Sequence, residues 1–459
     1  MSPRRALAVV VTVALASVLA LGVAEAVLRL LERRGRGAAA RRTRYEEAYA
    51  AKAFRKDGIG DAGFLAENFR GYVTNEYGRP VEWVNNSSGF RSRRDFAPRP
   101  PTGTLRILAL GDSFLVGHRV GQDDTFCFLL EGWLRARRGR DVEVLIAAVE
   151  HPVTGLYYLQ IRGLRFAPHM VLVGISIGDD IAQVYFNLGP LGRYRLLGGA
   201  ANGVIEPNPA ADHDAQVAAL RALRLPAGCL GPREKAWAGS TPPGAAAANG
   251  EQAGNGAAGS GSPDRASNHP PSLRLAALVH AWLADRRARN APQAATSTWG
   301  AYREPALFDG NALGIYLKEP PPPIAEAYRR LERVLRGYRR LCARQRIRLA
   351  VVILPQRAQV QPPDWQATVR AYSLRPDCFD PLTPNRAILG ICRRLGLTCL
   401  DPTPALAELY HASGESLYMP LGDAHWTTRG HRAVFEAIRA GVARAAAGLP
   451  DAGAGTSVR

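Results

Sequence analysis

Apolar and polar positions alternate in blocks along most of the chain, and the blocks predict strands followed by helices. Five apolar runs have the length of strands buried on both faces of a sheet. These predicted strands cover residues 104–110, 142–149, 169–178, 348–355 and 397–404. Amphipathic helices are predicted at residues 125–138, 155–166, 324–345 and 384–395, and a last helix follows residue 426. The alternation predicts an α/β fold with a doubly wound, flavodoxin-like parallel sheet of five strands.

The pattern lapses between about residues 190 and 310, which indicates an insertion in the predicted domain of residues 101–448. Within it, residues 232–271 are too small and polar to build a core and predict a disordered loop. Residues 273–287 predict a helix, on whose apolar side His280 is expected to pack rather than to catalyse. The tail of residues 449–459 is also predicted to be disordered.

The amino terminus carries a candidate membrane span. Residues 6–24 are uncharged and mostly apolar, which is close to the length that crosses a hydrocarbon core as a helix. We therefore predict a transmembrane signal-anchor over residues 1–31. The alternative is a cleaved signal peptide, because Ala24-Glu25-Ala26 resembles a cleavage site. Residues 32–100 are predicted to form a juxtamembrane helix or stalk followed by an irregular lead-in loop.

Two features of the sequence predict opposite orientations for this span. Arginines between residues 29 and 44 outnumber the charges before the span, and the positive-inside rule alone would keep the body of the protein cytoplasmic. The resemblance of the start to a signal-anchor favours the opposite side. We expect the body to lie outside the cytoplasm, in the periplasm or at the cell surface.

Composition narrows the class of partner. The formal net charge is +19 over 459 residues, but the arginines are spread along the whole chain. No stretch alternates basic with aromatic residues, as a groove that stacks bases would, so we expect no nucleic-acid partner. A basic surface still favours acidic polymers or anionic lipid.

The cysteines indicate neither a metal site nor a single redox state. The chain has six, and no CxxC or Cys/His spacing suggests zinc, so no metal or cofactor is predicted. The even count permits disulfides outside the cytoplasm, for example within residues 378–399. Buried free thiols are the alternative.

Candidate chemistry gathers where predicted strands end. Ser113 follows the first strand, Asp179 follows the third, and Asp423 and His425 stand two apart just before the last helix. In a parallel sheet the carboxyl ends of the strands share one edge, so these side chains are expected to meet. A serine needs a base to take its proton, histidine suits that role, and a carboxylate orients the histidine.

Four short segments carry a resemblance to a known family. GDSF at 111–114 and the DxHW motif at 423–426 resemble the SGNH/GDSL hydrolase superfamily. With NSSGFRSRR at 86–94 and VVILPQRAQV at 351–360, the chain is most similar to its membrane-anchored, extracytoplasmic bacterial branch. The resemblance covers roughly residues 80–190 and 325–445.

The resemblance implies a three-layer fold and hydrolysis or transfer of an acyl ester. It implies that Ser113 is the nucleophile, His425 the base and Asp423 the acid that orients it. It also implies an oxyanion hole made of the Ser113 N–H, a glycine N–H after the second strand and an Asn side chain after the third. Here Asp179 stands at the Asn position, and Gly155 is the only glycine in the second stretch, AAVEHPVTG.

Neighbouring residues have competing interpretations. His151 is a substitute oxyanion donor or, as we favour, a loop residue, and Asp112 is expected to cap the turn after Ser113. Trp426 is expected to pack under the catalytic loop, and His431 to be a structural or helix-surface residue. Two further polar residues after the fourth strand, Arg357 and Gln359, either contact substrate or, as we favour, lie in a solvated loop.

The Ser113, His425 and Asp423 set predicts a serine esterase that acts on acyl esters. The resemblance implies that these are O-acetyl esters of an envelope or secreted polysaccharide. An O-acyltransferase using the same site, or a degenerate glycan-binding or assembly protein, are the alternatives. The expected partners are an acylated carbohydrate or other ester, the membrane through the amino-terminal helix, and polysaccharide-modification machinery.

Overall fold

The computed structural model describes residues 52–56, 63–197, 204–231, 307–308, 313–420 and 423–449. Several predictions fall outside these ranges: the amino-terminal span, the disordered loop of residues 232–271, the helix over 273–287 with His280, and the tail beyond residue 449. Within the described ranges, no helix combines the length and the apolar character that crossing a membrane requires.

Short antiparallel strands precede the main domain. Strand β1 (Phe54–Lys56) pairs with β2 (Gly63–Leu65), and β3 (Arg70–Thr74) pairs with β4 (Pro80–Val84). The prediction of a stalk and an irregular lead-in is wrong for these residues. The strands were missed because they are short and their outward faces are charged, while Val73 and Trp83 are buried against the domain.

The central sheet has five parallel strands, as predicted. They are β5 (Leu105–Gly111), β6 (Val142–Ala148), β7 (Met170–Ser176), β10 (Arg348–Leu354) and β11 (Thr398–Leu400). A separate antiparallel pair, β8 (Tyr194–Leu197) and β9 (Val204–Pro207), lies in the insertion. The spatial order is β6-β5-β7-β10-β11, and every neighbouring pair is parallel. This is the flavodoxin-like order, with the chain reversing direction across the sheet next to β5.

Helices cover both faces of the sheet. In chain order they are α1 (Ser113–Val116), α2 (Phe126–Arg138), α3 (Pro152–Ile161), α4 (Asp180–Asn187), α5 (His213–Arg221), α6 (Pro322–Arg344), α7 (Arg357–Val360), α8 (Pro362–Ala371), α9 (Thr383–Leu395), α10 (Thr403–Ser413) and α11 (Thr428–Ala445). The predicted strand over residues 397–404 runs too far. It ends at Leu400, and Pro404 lies in the first turn of α10, a position that suits proline.

Alternate residues of β5 belong to two separate cores, which gives the domain three layers. Leu108 and Leu110 join the cluster that packs under α3, α4, α6 and α9. Ile107 and Ala109 join the cluster that packs under α2, α10 and α11. Side chains of a strand alternate between faces, so a continuous apolar run is what a strand covered on both sides requires.

A disulfide ties the insertion back to the domain. Cys229, beyond α5, is bonded to Cys378, which lies just before α9, and 149 residues separate them in sequence. Cys127, Cys342 and Cys392 are buried free thiols. Both alternatives for the cysteines therefore occur in the described residues, and the disulfide reaches outside the 378–399 cluster.

Candidate active site

A tight turn places Ser113 at the carboxyl edge of the sheet, directly after β5. The Asp112 carboxylate accepts a hydrogen bond from the Phe114 N–H at 3.0 Å and caps α1, which confirms that prediction. A side chain at Gly111 would approach Leu115 to 2.6 Å, so the close turn needs glycine there. Strand, cap and glycine together fix the position of the serine backbone.

A second loop, leading into α11, carries Asp423 and His425. Thr427 caps α11 by accepting from the Gly430 N–H at 3.1 Å. Trp426 is fully buried, and its ring packs edge-on against Phe114 at 5.1 Å between ring centroids. The prediction that Trp426 packs under the loop is confirmed, and this contact joins the loop to the turn that carries Ser113.

Three side chains from these two segments form a continuous hydrogen-bonded series. The Ser113 Oγ lies 2.7 Å from His425 Nε2, and His425 Nδ1 lies 2.6 Å from Asp423 Oδ1. With the proton on Nδ1, the imidazole donates to Asp423 and its Nε2 accepts from the serine hydroxyl. This is the arrangement in which a histidine can take the serine proton while a carboxylate holds the ring.

Asp423 is held in its ionised form. Burial alone would raise the pKa of its carboxyl, but the charge and hydrogen bond of His425 outweigh burial, and the pKa lies well below its usual range. The same Oδ1 also accepts from the His425 backbone N–H at 3.0 Å. The carboxylate therefore remains an acceptor that orients the imidazole and stabilises its cation.

These groups would also be considered as metal ligands. Donor atoms of His118, Asp423 and His425 all lie within 4.8 Å of one another. However, both ring nitrogens of His425 already have hydrogen-bond partners, and the Arg119 guanidinium lies 3.1 Å from Asp423 Oδ2. A cation at that oxygen opposes a second one, so the cluster fits proton transfer better than metal binding.

A backbone N–H donor lies at Ser113 itself. The Ser113 N–H belongs to the first turn of α1, where backbone N–H groups have no acceptor within the helix. Such a group, beside the serine oxygen, suits an anion that forms on the attacked carbonyl.

Asp179 lies beside the triad, at the start of α4. Its carboxyl makes no capping hydrogen bond with that helix, and it interacts electrostatically with Asp112 and His425. Burial, with a contribution from the charge of Asp112, raises the pKa of Asp179 to about 6. Near this pH a large fraction of Asp179 is protonated and able to donate a hydrogen bond.

The backbone N–H of Gly155 is already used by a hydrogen bond. Gly155 is inside α3, its N–H donates to the His151 carbonyl at 2.9 Å, and a Cβ added there would lie 2.3 Å from the Tyr338 hydroxyl. The role predicted for Gly155 is at odds with this placement, because α3 begins at Pro152 and the Gly155 N–H makes a hydrogen bond within it. His151 is buried at the helix start, accepts from the Thr154 N–H, and burial lowers its pKa to about 3. It is a structural loop residue, as favoured from the sequence.

Other polar residues near the site are structural. Arg357 is buried and donates to the Met419 carbonyl at 3.2 Å, and Gln359 is buried and donates to the Pro381 carbonyl at 2.9 Å. The prediction that they lie in a solvated loop is wrong, because both belong to helix α7 and both are covered. Arg357 is covered by the segment of Met419, and Gln359 is covered by the segment of Pro381. His431 is buried and its ring stacks on that of Phe126, so it is a structural residue.

Sequence reasoning gave no role to His118 and Arg119, which follow the nucleophile turn. The His118 ring lies 4.7 Å from the His425 ring, and Arg119 pairs with Asp423. The signal that could have found them is two basic residues, GHRVG, directly behind the GDSF motif. They extend the site beyond the triad.

No protein-family model matches the chain, and no curated protein matches it in sequence. Among solved structures, a two-domain esterase active on acetylated mannans, crystallised with mannopentaose, is similar with a TM-score of 0.34 and 10% identity. The match covers 77% of this chain and 53% of that one, so this chain spans about half its length. An extracellular lipase from Streptomyces rimosus is similar with a TM-score of 0.27 and 11% identity, over 72% of this chain and 99% of the lipase. The chemistry of this site therefore has to be inferred from its own geometry.

Proposed function

We propose that the protein is a serine esterase of the SGNH type that cleaves acyl esters through a covalent acyl-enzyme. The observation that carries the proposal is the hydrogen-bonded series from Ser113 through His425 to Asp423, with successive contacts of 2.7 and 2.6 Å. The Ser113 hydroxyl is a weak nucleophile alone, and a positioned base within hydrogen-bond reach is what activates it.

In the proposed reaction, Ser113 Oγ attacks the ester carbonyl carbon while His425 Nε2 takes the hydroxyl proton. The Asp423 carboxylate stabilises the resulting imidazolium without itself taking the proton. His425 then gives the proton to the departing alcohol oxygen, which leaves the acyl group on Ser113. Water, deprotonated by the same imidazole, releases the acid and restores the serine.

The anion that forms on the carbonyl oxygen needs donors. The Ser113 N–H supplies one. We propose that protonated Asp179 supplies a second, in the place where the resemblance expects an Asn amide. A pKa of about 6 makes this donor available under mildly acidic conditions and progressively less so above that pH.

The substrate class we propose is an O-acetylated polysaccharide of the cell envelope or a secreted one, which is what the resemblance to the membrane-anchored branch implies. The net charge of +19 suits an acidic polymer. We further propose an extracytoplasmic domain, held to the membrane by residues 1–31. The Cys229–Cys378 disulfide supports this compartment, because such bonds persist mainly outside the cytoplasm.

Two alternative functions would use the same site, one with an acyl-enzyme and one without. If a sugar hydroxyl replaces water, the same acyl-enzyme makes the protein an O-acyltransferase. The commitment of the Gly155 N–H within α3, together with a carboxyl at position 179, favours instead a glycan-binding protein with a weakened oxyanion hole. The second alternative predicts glycan binding that survives loss of Ser113.

The test uses the full chain, purified in a mild detergent, with p-nitrophenyl acetate and an acetylated glycan as substrates. We expect turnover of both, and loss of at least 10³-fold in kcat in Ser113→Ala. Ser413→Ala, at the exposed end of α10, is the matched control and should be unchanged. A fluorophosphonate should label the native protein on Ser113. No turnover and no labelling, with glycan affinity retained in Ser113→Ala, would support the binding protein instead.

A further inference from the structure

Arg119 contacts the triad carboxylate from the side opposite the histidine. Its Nε lies 3.1 Å from Asp423 Oδ2, whereas Asp423 Oδ1 accepts from His425. Each carboxylate oxygen therefore has its own cationic or N–H partner. A carboxylate held at both oxygens cannot rotate away from the imidazole without losing a contact.

The backbone at Arg119 is unusual for a residue with a side chain. Its φ is 63°, in the left-handed region that disfavours non-glycine residues. Such a conformation persists where the surroundings hold it in place, and these sites are often functional. Replacing Arg119 by glycine would relieve the backbone but would remove the contact of its guanidinium with Asp423.

A second arginine holds this turn. The buried Arg91 guanidinium donates to the carbonyl of Gly117 at 2.6 Å and to the carbonyls of Val116 and Val120. It also lies over the Trp83 ring, 3.8 Å from its centroid. The planar Arg91 guanidinium thus binds carbonyls on both sides of Arg119 and fixes the backbone of this turn. The Arg119 side chain itself contacts Asp423.

From these contacts we propose that Arg119 is a positioning residue of the triad. It orients Asp423 toward His425 and places a fixed positive charge beside the pair, so that protonating the histidine brings two cations close together. The inference rests on the proposed esterase function for its kinetic consequences, and on the contacts alone for its structural ones.

Several charged or titratable groups face the Asp423–His425 pair from the elements packed around it. They are Asp112 and Ser113 of the nucleophile turn, His118 beside Arg119, Asp179 before α4, Arg357 of α7 and His431 of α11. Burial lowers the pKa of His118 and of His431, so both are neutral near pH 7. Of the arginines and lysines in the described part of the chain, Arg119 is the one whose cation lies against the Asp423 carboxylate.

The direction of the effect follows from charge. Protonation of His425 creates a cation close to Arg119, and the two repel. Removing the Arg119 charge should make protonation easier, so that the base is lost at a higher pH. Because the Arg119 side chain is 22% exposed, solvent weakens the repulsion, and we expect a shift of about 0.5 to 1 pH unit.

The experiment compares Arg119→Met, which keeps bulk without charge, with Arg119→Lys, which keeps the charge. The full chain is used, and kcat/KM for p-nitrophenyl acetate is measured from pH 4.5 to 9. Arg93→Met is the matched control, because Arg93 is exposed and pairs with Glu82 and Asp123. A downfield proton NMR signal from the His425 Nδ1–H, identified by its loss in Asp423→Asn, is followed over the same pH range.

We expect Arg119→Met to move the acid limb of the kcat/KM profile and the transition of the His425 Nδ1–H signal to higher pH by the same amount. The maximum kcat/KM should fall about tenfold. Arg119→Lys should keep the acid limb near its native position, and Arg93→Met should change neither. An acid limb and a proton titration that stay in place in Arg119→Met would overturn the inference. If the native chain turns over no ester, the proposed function fails, and the proton titration alone then decides the role of Arg119.

Discussion

The Ser113 hydroxyl and the His425 imidazole meet at 2.7 Å although 312 residues separate them in sequence. The first stands after the first strand of the central sheet, and the second stands just before the last helix. Two packing devices bring them together: the cap of α1 by Asp112 and the contact of buried Trp426 with Phe114. The site is therefore a product of the whole domain.

Loss of the orienting carboxylate should reduce catalysis severely. In Asp423→Asn the negative charge that pairs with Arg119 is lost. The amide NH₂ can also donate to His425 Nδ1, which favours the wrong histidine tautomer. We expect kcat to fall by about 10²–10⁴-fold, with a smaller change in KM. Steady-state kinetics and the rate of fluorophosphonate labelling measure this. Glu415→Gln, at an exposed position, serves as control, and equal losses in the two variants would contradict the assignment.

Asp179→Asn should change the pH dependence of activity. The Asp179 pKa of about 6 lies above its usual range, so its donor form declines about tenfold per pH unit above 6, whereas an Asn amide donates at every pH. If the protein is the proposed esterase, kcat/KM of Asp179→Asn should match that of the native protein near pH 5 and exceed it about tenfold near pH 7. A ratio of the two kcat/KM values that is independent of pH would exclude Asp179 as a proton-dependent donor.

The same residue should affect stability with a defined sign. Because folding raises the pKa of Asp179, the folded chain binds more protons than the unfolded chain between about pH 4 and 6. Its contribution to stability is therefore complete below pH 4 and is lost as the pH rises through 6. Asp179→Asn has no carboxyl to ionise and therefore escapes this loss. The Tm of the variant minus the Tm of the native protein should be more positive at pH 7.5 than at pH 4.5. A difference of opposite sign would contradict the raised pKa.

Gly155 should matter for packing rather than for catalysis. A methyl group there would lie 2.3 Å from the Tyr338 hydroxyl, so Gly155→Ala is expected to destabilise the fold by about 1–3 kcal/mol. Tyr338→Phe removes that hydroxyl and its hydrogen bond to the Pro152 carbonyl, at a cost of about 1 kcal/mol. Urea denaturation of both variants and of the pair should give a double variant less destabilised than the sum. Strict additivity would show that the two residues do not compete for space.

The disulfide should stabilise the domain by constraining the unfolded chain. Joining Cys229 to Cys378 closes a long loop, and such a bond typically contributes about 2–4 kcal/mol. Reduction should lower the Tm of the native protein and leave the Tm of Cys229→Ser/Cys378→Ser unchanged. A reductant effect that persists in the double variant would assign the stabilisation to other cysteines.

Much of the site was predictable because its residues lie in short local motifs. GDSF after an apolar run and DxHW before an amphipathic helix identify Ser113, Asp423 and His425 from local sequence alone. Gly155 and Arg357 were assigned less well. Whether the N–H of Gly155 is free depends on where the helix after β6 begins. Whether Arg357 is solvated depends on which segments pack over α7.

Periodicity by itself determined the α/β class, the five parallel strands and the edge of the sheet where the candidate site lies. Four of these strands are largely buried, and a strand covered on both faces must be apolar almost throughout, whereas β11 is short and only partly covered. It did not determine the hairpin of β3 and β4, whose strands are short and charged on their outward face. Nor did it determine the pairing of Cys229 with Cys378, which joins segments distant in sequence. The same holds for Arg119. Its partner lies more than 300 residues away, and only packing of the nucleophile turn against the last loop brings its charge to Asp423.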